Sequence, residues 1–518
     1  MPEKAFRKPV LLLLILITLG FILKQSFYLR SIGYDQIPDT NVILDEHTNV
    51  WHGLSIKSSG IPAAWSNIGA YKNGSGGDVV GLNLAVADFR TPNLANFYNF
   101  PKPVYVLHPV FLGEGKTLKK VGFVQPYLDH PPFGALVLSS FVTRQIKTFD
   151  DLLPSDFRNG SLWLGVVTGG LIFLLAWQVT QSPAIGLISA AIYGSVPTFS
   201  LLSRYALLEN VLNPLMLITL NLLIFTKSNI EKYNERKVHI INGLLILAGV
   251  FSGLTALTKI VGWFMLFVGI FLLYYWKVSS KKILLFAIPS IIIGLLYFAW
   301  GLYLDPKLFI NIFLYQSVDR GFIGSLNFLT TLRGVGIVNF PFDGWWIGGF
   351  LSILFISFKK QYMPIIFSMA IILLTTLILG GANYPWYYIP LIPFMCITTA
   401  LFIWKVAKEP NFLIITTFFL VCFSSSFYWG YGVFQADKLS TNYMQPYQLY
   451  RLFLIIFFLG GLGSWVSLRF NFKRLYLLIW FIFMLLIIYQ LWKWNNQSIQ
   501  FILSHWGKFP SLYTPGTF

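Results

Sequence analysis

SLWLGVVTGGLIFLLAWQVT, residues 161–180, runs for twenty positions without a charged side chain. About 20 apolar residues is the length at which an α-helix, rising about 1.5 Å per residue, crosses a hydrocarbon core about 30 Å thick. The run is continuous, whereas a membrane barrel strand alternates between lipid-facing and lumen-facing residues. Hydrocarbon offers the backbone no hydrogen-bond partners, so the form left to this segment is a helix.

The same pattern recurs along the chain. Apolar runs predict spans near 9–29, 161–180, 184–202, 208–226, 240–258, 260–276, 283–304, 345–358, 363–381, 387–406, 411–430, 449–468 and 475–492, thirteen in all. The composition agrees: of 518 residues 56% are hydrophobic, 18% aromatic and only 11% charged, where a soluble protein carries about 25% charged residues. The expected fold is an all-α polytopic membrane protein with about 13 transmembrane helices. Val10 to Leu23 resembles a secretory signal, but no small-residue cleavage pattern follows, so it reads as a retained first span.

A net charge of +18 raises the question of nucleic acid. The basic residues are spread over short loops and form no single basic face, which excludes nucleic acid as the expected partner and points to the bilayer. They report orientation instead. With Lys4, Arg7 and Lys8 cytoplasmic, the spans place Lys227 to Lys237, Lys277 to Lys282, Lys359 with Lys360, Lys405 with Lys408, and Arg469 to Arg474 on the same side. The N-terminus is then cytoplasmic, and residues 30–160 form a large first loop outside. The two cysteines, Cys396 and Cys422, lie in apolar runs and suggest neither a disulfide framework nor a Cys-based zinc site.

That first loop holds His47, His52, His108 and His130 and more than half of the acidic residues, which makes it the place to look for chemistry. Thr48 to Ser59 and Phe133 to Ile146 read as short helices along the membrane surface, and Tyr71 to Asp78 as a Gly/Ser turn. Asp45-Glu46 is either a solvated acidic turn or a general base with a neighbour able to hold a metal. Asp129-His130-Pro131-Pro132 is either a plain loop-to-helix junction or a charged pair held at a helix entrance.

In Ser203 to Glu209, Arg204 and Glu209 stand at a membrane boundary, where ionisable groups are costly unless paired or used. They could pair with each other, or Arg204 could take a phosphate. Lys259 is either a snorkelling anchor or a partner for a lipid phosphate. Tyr384 to Tyr388, with Pro390 and Pro393 beyond, reads as an aromatic anchor or a platform for a sugar ring.

In this order, the segments resemble those of the integral-membrane glycosyltransferases of the C superfamily (GT-C), most closely the dolichyl-phosphate-mannose protein mannosyltransferase family and its bacterial relatives. Asp45-Glu46 matches the acidic pair of the first outer loop. Asp129-His130-Pro131-Pro132-Phe133-Gly134 is a shortened Asp-x-His-Pro-Pro-Leu-Gly. Ser203 to Glu209 matches Ser-Arg-aromatic-x-Leu-Leu-Asp, with Glu in place of the last Asp. Lys259 to Gly262 and Tyr387 to Pro393 match two later elements.

The resemblance implies one membrane-embedded glycosyltransferase domain over 1–518: an extracytoplasmic cap at 30–160, the remaining transmembrane helices at 161–492 and an outer tail at 493–518. It implies transfer of a sugar, mannose in the named family, from a polyprenyl-phosphate donor to a hydroxyl of a protein or glycolipid acceptor, with inversion. Asp45 would be the base and Glu46 would orient the acceptor. Arg204 and Lys259 would bind the donor phosphate, supported by Asp129, His130, Glu209 and Tyr387. A divalent ion is left open, with Glu46 and His130 as its candidate ligands. A transporter or flippase of lipid-linked saccharides is the competing reading, since it too needs charge near the head group.

Overall fold

The computed structural model describes residues 2–35, 41–66, 68, 71, 106–112, 117–146, 152–230, 238–316, 344–356, 359–379, 385–408, 455, 458–463 and 465–504. The expected span at 411–430, part of that at 449–468 and most of the Tyr71 to Asp78 turn lie outside these residues. In chain order the helices are α1 (Pro2–Ser31), α2 (Asn41–Ser59), α3 (Pro132–Ser139), α4 (Pro154–Thr180), α5 (Pro183–Ser195), α6 (Pro197–Leu202), α7 (Leu208–Ile230), α8 (Val238–Thr258), α9 (Phe264–Tyr275), α10 (Ser280–Leu304) and α11 (Pro306–Leu314). They continue with α12 (Gly344–Phe355), α13 (Met363–Leu379), α14 (Ile392–Lys408), α15 (Lys473–Tyr489) and α16 (Asn495–Ser504).

By length and composition, six described helical stretches can cross a bilayer: Pro9–Ser31, Pro154–Thr180, Leu208–Ser228, Val238–Thr258, Ser280–Leu304 and Trp386–Lys405. Several of them present apolar faces outward. Leu11, Leu13 and Ile17 of α1 and Ile292 and Leu296 of α10 are all more than half exposed, an arrangement that lipid favours and water does not. The chain is an integral membrane protein.

Prolines set the helix starts. Pro132, Pro154, Pro183, Pro197 and Pro306 each sit in the first turn, where a missing N–H costs nothing. Pro197 also corrects the expected span at 184–202. It holds Val196 in an extended conformation (φ −64°, ψ 126°), so the run divides into α5 and α6. The run at 260–276 likewise begins as a 3-10 turn, Ile260–Trp263, before α9. Helices stand where two were expected in the first loop: α2 begins earlier, at Asn41, and ends at Ser59, and α3 runs over Pro132–Ser139 and stops short of Ile146.

The cap departs from the all-helical expectation. Strands β1 (Ala64–Ser66), β2 (Val106–Leu112) and β3 (Thr117–Val124) form an antiparallel sheet in the order β1-β3-β2, with Ala64 opposite Val124 and His108 opposite Val121.

The cap is joined to the bundle by an apolar cluster in which Val50 and Trp51 of α2, Leu138 of α3 and Phe157 of α4 meet Ala206, Leu208 and Val211. Gly53 permits the crossing of α2 over α3: a β-carbon there would lie 2.1 Å from the Ala135 carbonyl oxygen. The ends of α1, α8 and α10 and the starts of α4, α7 and α14 thereby share one end of the bundle. Lys227, Lys277 to Lys282, Lys360 and Lys405 with Lys408 fall on the turns or helix ends away from it.

Candidate active site

Helix α2 carries the acidic pair, and the pair is split by the helix surface. Asp45 is exposed, whereas Glu46 is fully buried. Both Glu46 oxygens receive the Arg158 guanidinium, Nε at 2.9 and 3.2 Å and Nη2 at 2.7 Å. The Ala206 N–H donates to Glu46 Oε1 at 2.7 Å. One turn along α2, Asn49 Nδ2 donates to the Ala206 carbonyl at 3.1 Å. Two side chains thus grip one residue, Ala206, from its two flanking peptide groups. This fixes α2 against the segment Ser203 to Glu209.

Glu46 therefore does not stand where an acceptor-orienting or metal-binding carboxylate was expected. Its lone pairs are spent on a buried ion pair and a backbone N–H, and a buried carboxylate left short of such partners is costly. Among the described residues no three His, Cys, Asp or Glu side chains gather as a metal site.

Arg204 is also placed differently from the expectation. It is fully buried, with Nη1 donating to the Ile32 carbonyl at 2.8 Å and Nη2 to the Gly33 carbonyl at 3.4 Å. The end of a helix leaves carbonyls without partners, and a guanidinium fork suits them. Arg158 Nη1 takes the next carbonyl, that of Tyr34, at 2.8 Å. Burial lowers the Arg204 pKa to about 10, which still leaves it charged at neutral pH. Arg204 thus secures the turn after α1.

The other expected cation is better placed. Lys259 ends α8, and its Nζ forms an ion pair with Glu209 at the start of α7. The same Nζ lies 4.4 Å from the centre of the Tyr387 ring, within the range of a cation–π contact. Glu209 therefore pairs with Lys259, which answers the question of whether its partner is Arg204. The Lys-x-x-Gly spacing has a local cause. Gly262 N–H closes a turn onto the Lys259 carbonyl at 2.7 Å, and Thr255 Oγ1 donates to the Gly262 carbonyl at 2.8 Å. A β-carbon on Gly262 would lie 2.0 Å from the Thr255 oxygen, so only glycine fits this turn.

Asp129 is buried and held by two hydroxyls, Ser66 Oγ at 2.7 Å and Tyr71 Oη at 2.6 Å. Tyr71 Oη accepts the Leu128 N–H at 2.9 Å, and Tyr297 Oη donates to the Leu128 carbonyl at 2.6 Å. Burial, followed by the Asp129 charge, pushes the Tyr71 hydroxyl well above its ordinary pKa, so it stays a donor. The Asp129 carboxylate therefore ties parts of the first loop to one another, and it is the neighbouring Leu128 carbonyl that reaches α10. His130, beside it, meets Tyr127 edge-on at 6.3 Å, and Tyr127 meets the buried His52 at 4.9 Å.

Arg158, Asn49, Tyr71 and Ser66 are not singled out by the sequence reading. Arg158 carried the clearest signal, since it is a lone cation at the start of an otherwise apolar helix.

The family model for dolichyl-phosphate-mannose-protein mannosyltransferase matches residues 129–315. The match takes in Asp129-His130, Ser203 to Glu209 and Lys259 to Gly262, so the resemblance read from the sequence holds over that stretch. Among solved structures the chain is similar to ArnT from Cupriavidus metallidurans bound to undecaprenyl phosphate, at 14% identity over 94% of this chain and 78% of that one, with a TM-score of 0.48. It is also similar to the archaeal oligosaccharyltransferase AglB from Archaeoglobus fulgidus in complex with an inhibitory peptide and a dolichol-phosphate, at 11% identity over 90% of this chain and 56% of that one, with a TM-score of 0.43. No curated protein sequence matches.

Proposed function

We propose that this chain is an inverting glycosyltransferase that moves a sugar from a polyprenyl-phosphate donor to an acceptor hydroxyl. The observation that carries the reading is the double grip of Glu46 and Asn49 on Ala206. It fixes α2, which carries exposed Asp45, against the segment whose Glu209 pairs with Lys259 beside Tyr387. A proton acceptor and a cation thus flank one end of the bundle, where an insoluble isoprenoid tail and a water-soluble acceptor can meet. The family match over residues 129–315 supports the same reaction class.

In the reaction, the acceptor oxygen bonds to the anomeric carbon from the face opposite the phosphate. The bond between that carbon and the phosphate oxygen breaks, its electron pair goes to the phosphate, and Asp45 takes the acceptor proton. A phosphodiester of one negative charge becomes a phosphomonoester of up to two. Lys259, lying within reach of Tyr387, is the group that meets this growing charge. Arg204 and Arg158 act indirectly, by fixing the turn at residues 32–34. Mannose is the first sugar to test. The basic loops at the far end of the bundle favour a cytoplasmic N-terminus and an extracytoplasmic reaction.

Purified protein incubated with a panel of polyprenyl-phosphate sugars, with and without chelator, should release free carrier phosphate. Asp45→Asn should lower turnover by about 10²–10⁴-fold with unchanged membrane insertion. Undiminished turnover in that variant removes Asp45 as the base, and donor that is moved across vesicles but never cleaved favours the flippase.

A further inference from the structure

The pairing of Lys259 with Glu209 raises a question that sugar transfer alone leaves open. A cation meant for phosphate is already engaged by a carboxylate. Glu209 is 2% exposed and Lys259 7% exposed, so bulk water does little to screen either one. Whatever phosphate approaches Lys259 also approaches Glu209. Repulsion from Glu209 grows with the charge of that phosphate, and this charge differs across the reaction.

The donor is a phosphodiester with a single negative charge. The spent carrier is a phosphomonoester whose second pKa lies near 6, so at neutral pH it carries nearly two. The extra charge arises only after the sugar has left. A positive site without a carboxylate holds the more highly charged product more tightly and is inhibited by it. A site with a fixed carboxylate beside the cation narrows or reverses that preference.

We infer that Glu209 is a specificity-determining residue that discriminates between donor and product, expelling the spent carrier phosphate by charge repulsion while tolerating the incoming diester. This rests on the reading that the donor phosphate meets Lys259. Tyr387 completes the device: its ring faces the same Nζ at 4.4 Å without adding a full negative charge, so the cation stays attractive to a monoanion. At an effective dielectric constant of about 20 to 40 and a separation of about 4 Å, one further unit of charge is worth about thirtyfold to a thousandfold in affinity.

The test compares binding of undecaprenyl phosphate with that of its methyl ester, a monoanionic diester, to the purified full chain at pH 7.5. The wild type should bind the monoester no more tightly than the diester. Glu209→Gln, which keeps a hydrogen-bond acceptor for Lys259, should shift the ratio toward the monoester by about tenfold or more. Glu209→Asp should keep the wild-type ratio. A Gln variant that leaves the ratio unchanged overturns the inference. So does a wild type that already prefers the monoester tenfold, a measurement that needs no variant. Lys259→Ala separates the two levels. If it leaves both affinities untouched, the placement of the donor phosphate itself fails. If it weakens both while Glu209→Gln leaves their ratio unchanged, only the role of Glu209 fails.

Discussion

Replacing Arg158 with methionine tests the assembly of the site most directly. The Glu46 and Arg158 side chains are both 0% exposed and meet at 2.7 Å. Methionine keeps much of the length and the apolar stem of arginine but removes every donor. Glu46 keeps the Ala206 N–H and loses the guanidinium that holds both its oxygens. Breaking a fully buried pair from one side costs about 3–5 kcal/mol, because the remaining charge has no water to return to. The Tyr34 carbonyl loses its donor as well.

The double variant Arg158→Met with Glu46→Gln carries no stranded charge, and its amide oxygen still accepts the Ala206 N–H. It should recover about 2 kcal/mol or more of the loss. Unfolding in mixed micelles, followed by tryptophan fluorescence for the wild type, both single variants and the double, gives the coupling energy. Single effects that sum to the double within about 0.5 kcal/mol would show that the two residues do not act as a pair, and the account of how α2 is held would be refuted.

Two further outcomes follow from the geometry. Gly262→Ala places a methyl group 2.0 Å from the Thr255 carbonyl oxygen and must displace the turn that aims Lys259; donor KM should rise about tenfold or more while acceptor KM stays near wild type, and an equal rise in both refutes this. Burial holds His52 neutral, with its pKa lowered from 6.5 to about 3. The unfolded chain therefore takes up a proton below pH 6.5 while the folded chain does not until about pH 3. Stability is intact above pH 6.5 and is lost as the pH falls through that window, by up to about 1.4 kcal/mol per pH unit. His52→Gln should flatten the fall in unfolding midpoint between about pH 6.5 and 4.5; parallel curves for variant and wild type refute it.

The membrane helices were legible in the sequence because hydrocarbon imposes one rule on every span, so an uncharged run such as 161–180 has few alternatives. The break at Val196-Pro197 was visible as a proline, but hydropathy averages over it. The cap sheet was not legible: β2 and β3 are short and belong to a loop whose strands gain meaning only from their partners. At the candidate site, residue types singled out the segments, and pairing decided what each side chain touches. Glu46 and Arg158 lie 112 residues apart and Arg204 and Ile32 lie 172 apart, so no local pattern could assign one to an ion pair and the other to a helix end. The sequence offered Arg204 as the partner of Glu209, and the packing of α7 against α8 gives it Lys259 instead.

The hold of later residues on α1 also bears on biogenesis. Arg30 donates from Nε to the Ser203 hydroxyl at 2.7 Å, a partner 173 residues downstream, and Arg204 secures the turn that follows. At about 5–20 residues per second, roughly ten to thirty seconds of translation separate the two ends of this contact. Helix α1 must therefore wait in the bilayer with a guanidinium near its end, and its lateral position in the finished bundle is decided only when the ribosome delivers residues 203 and 204.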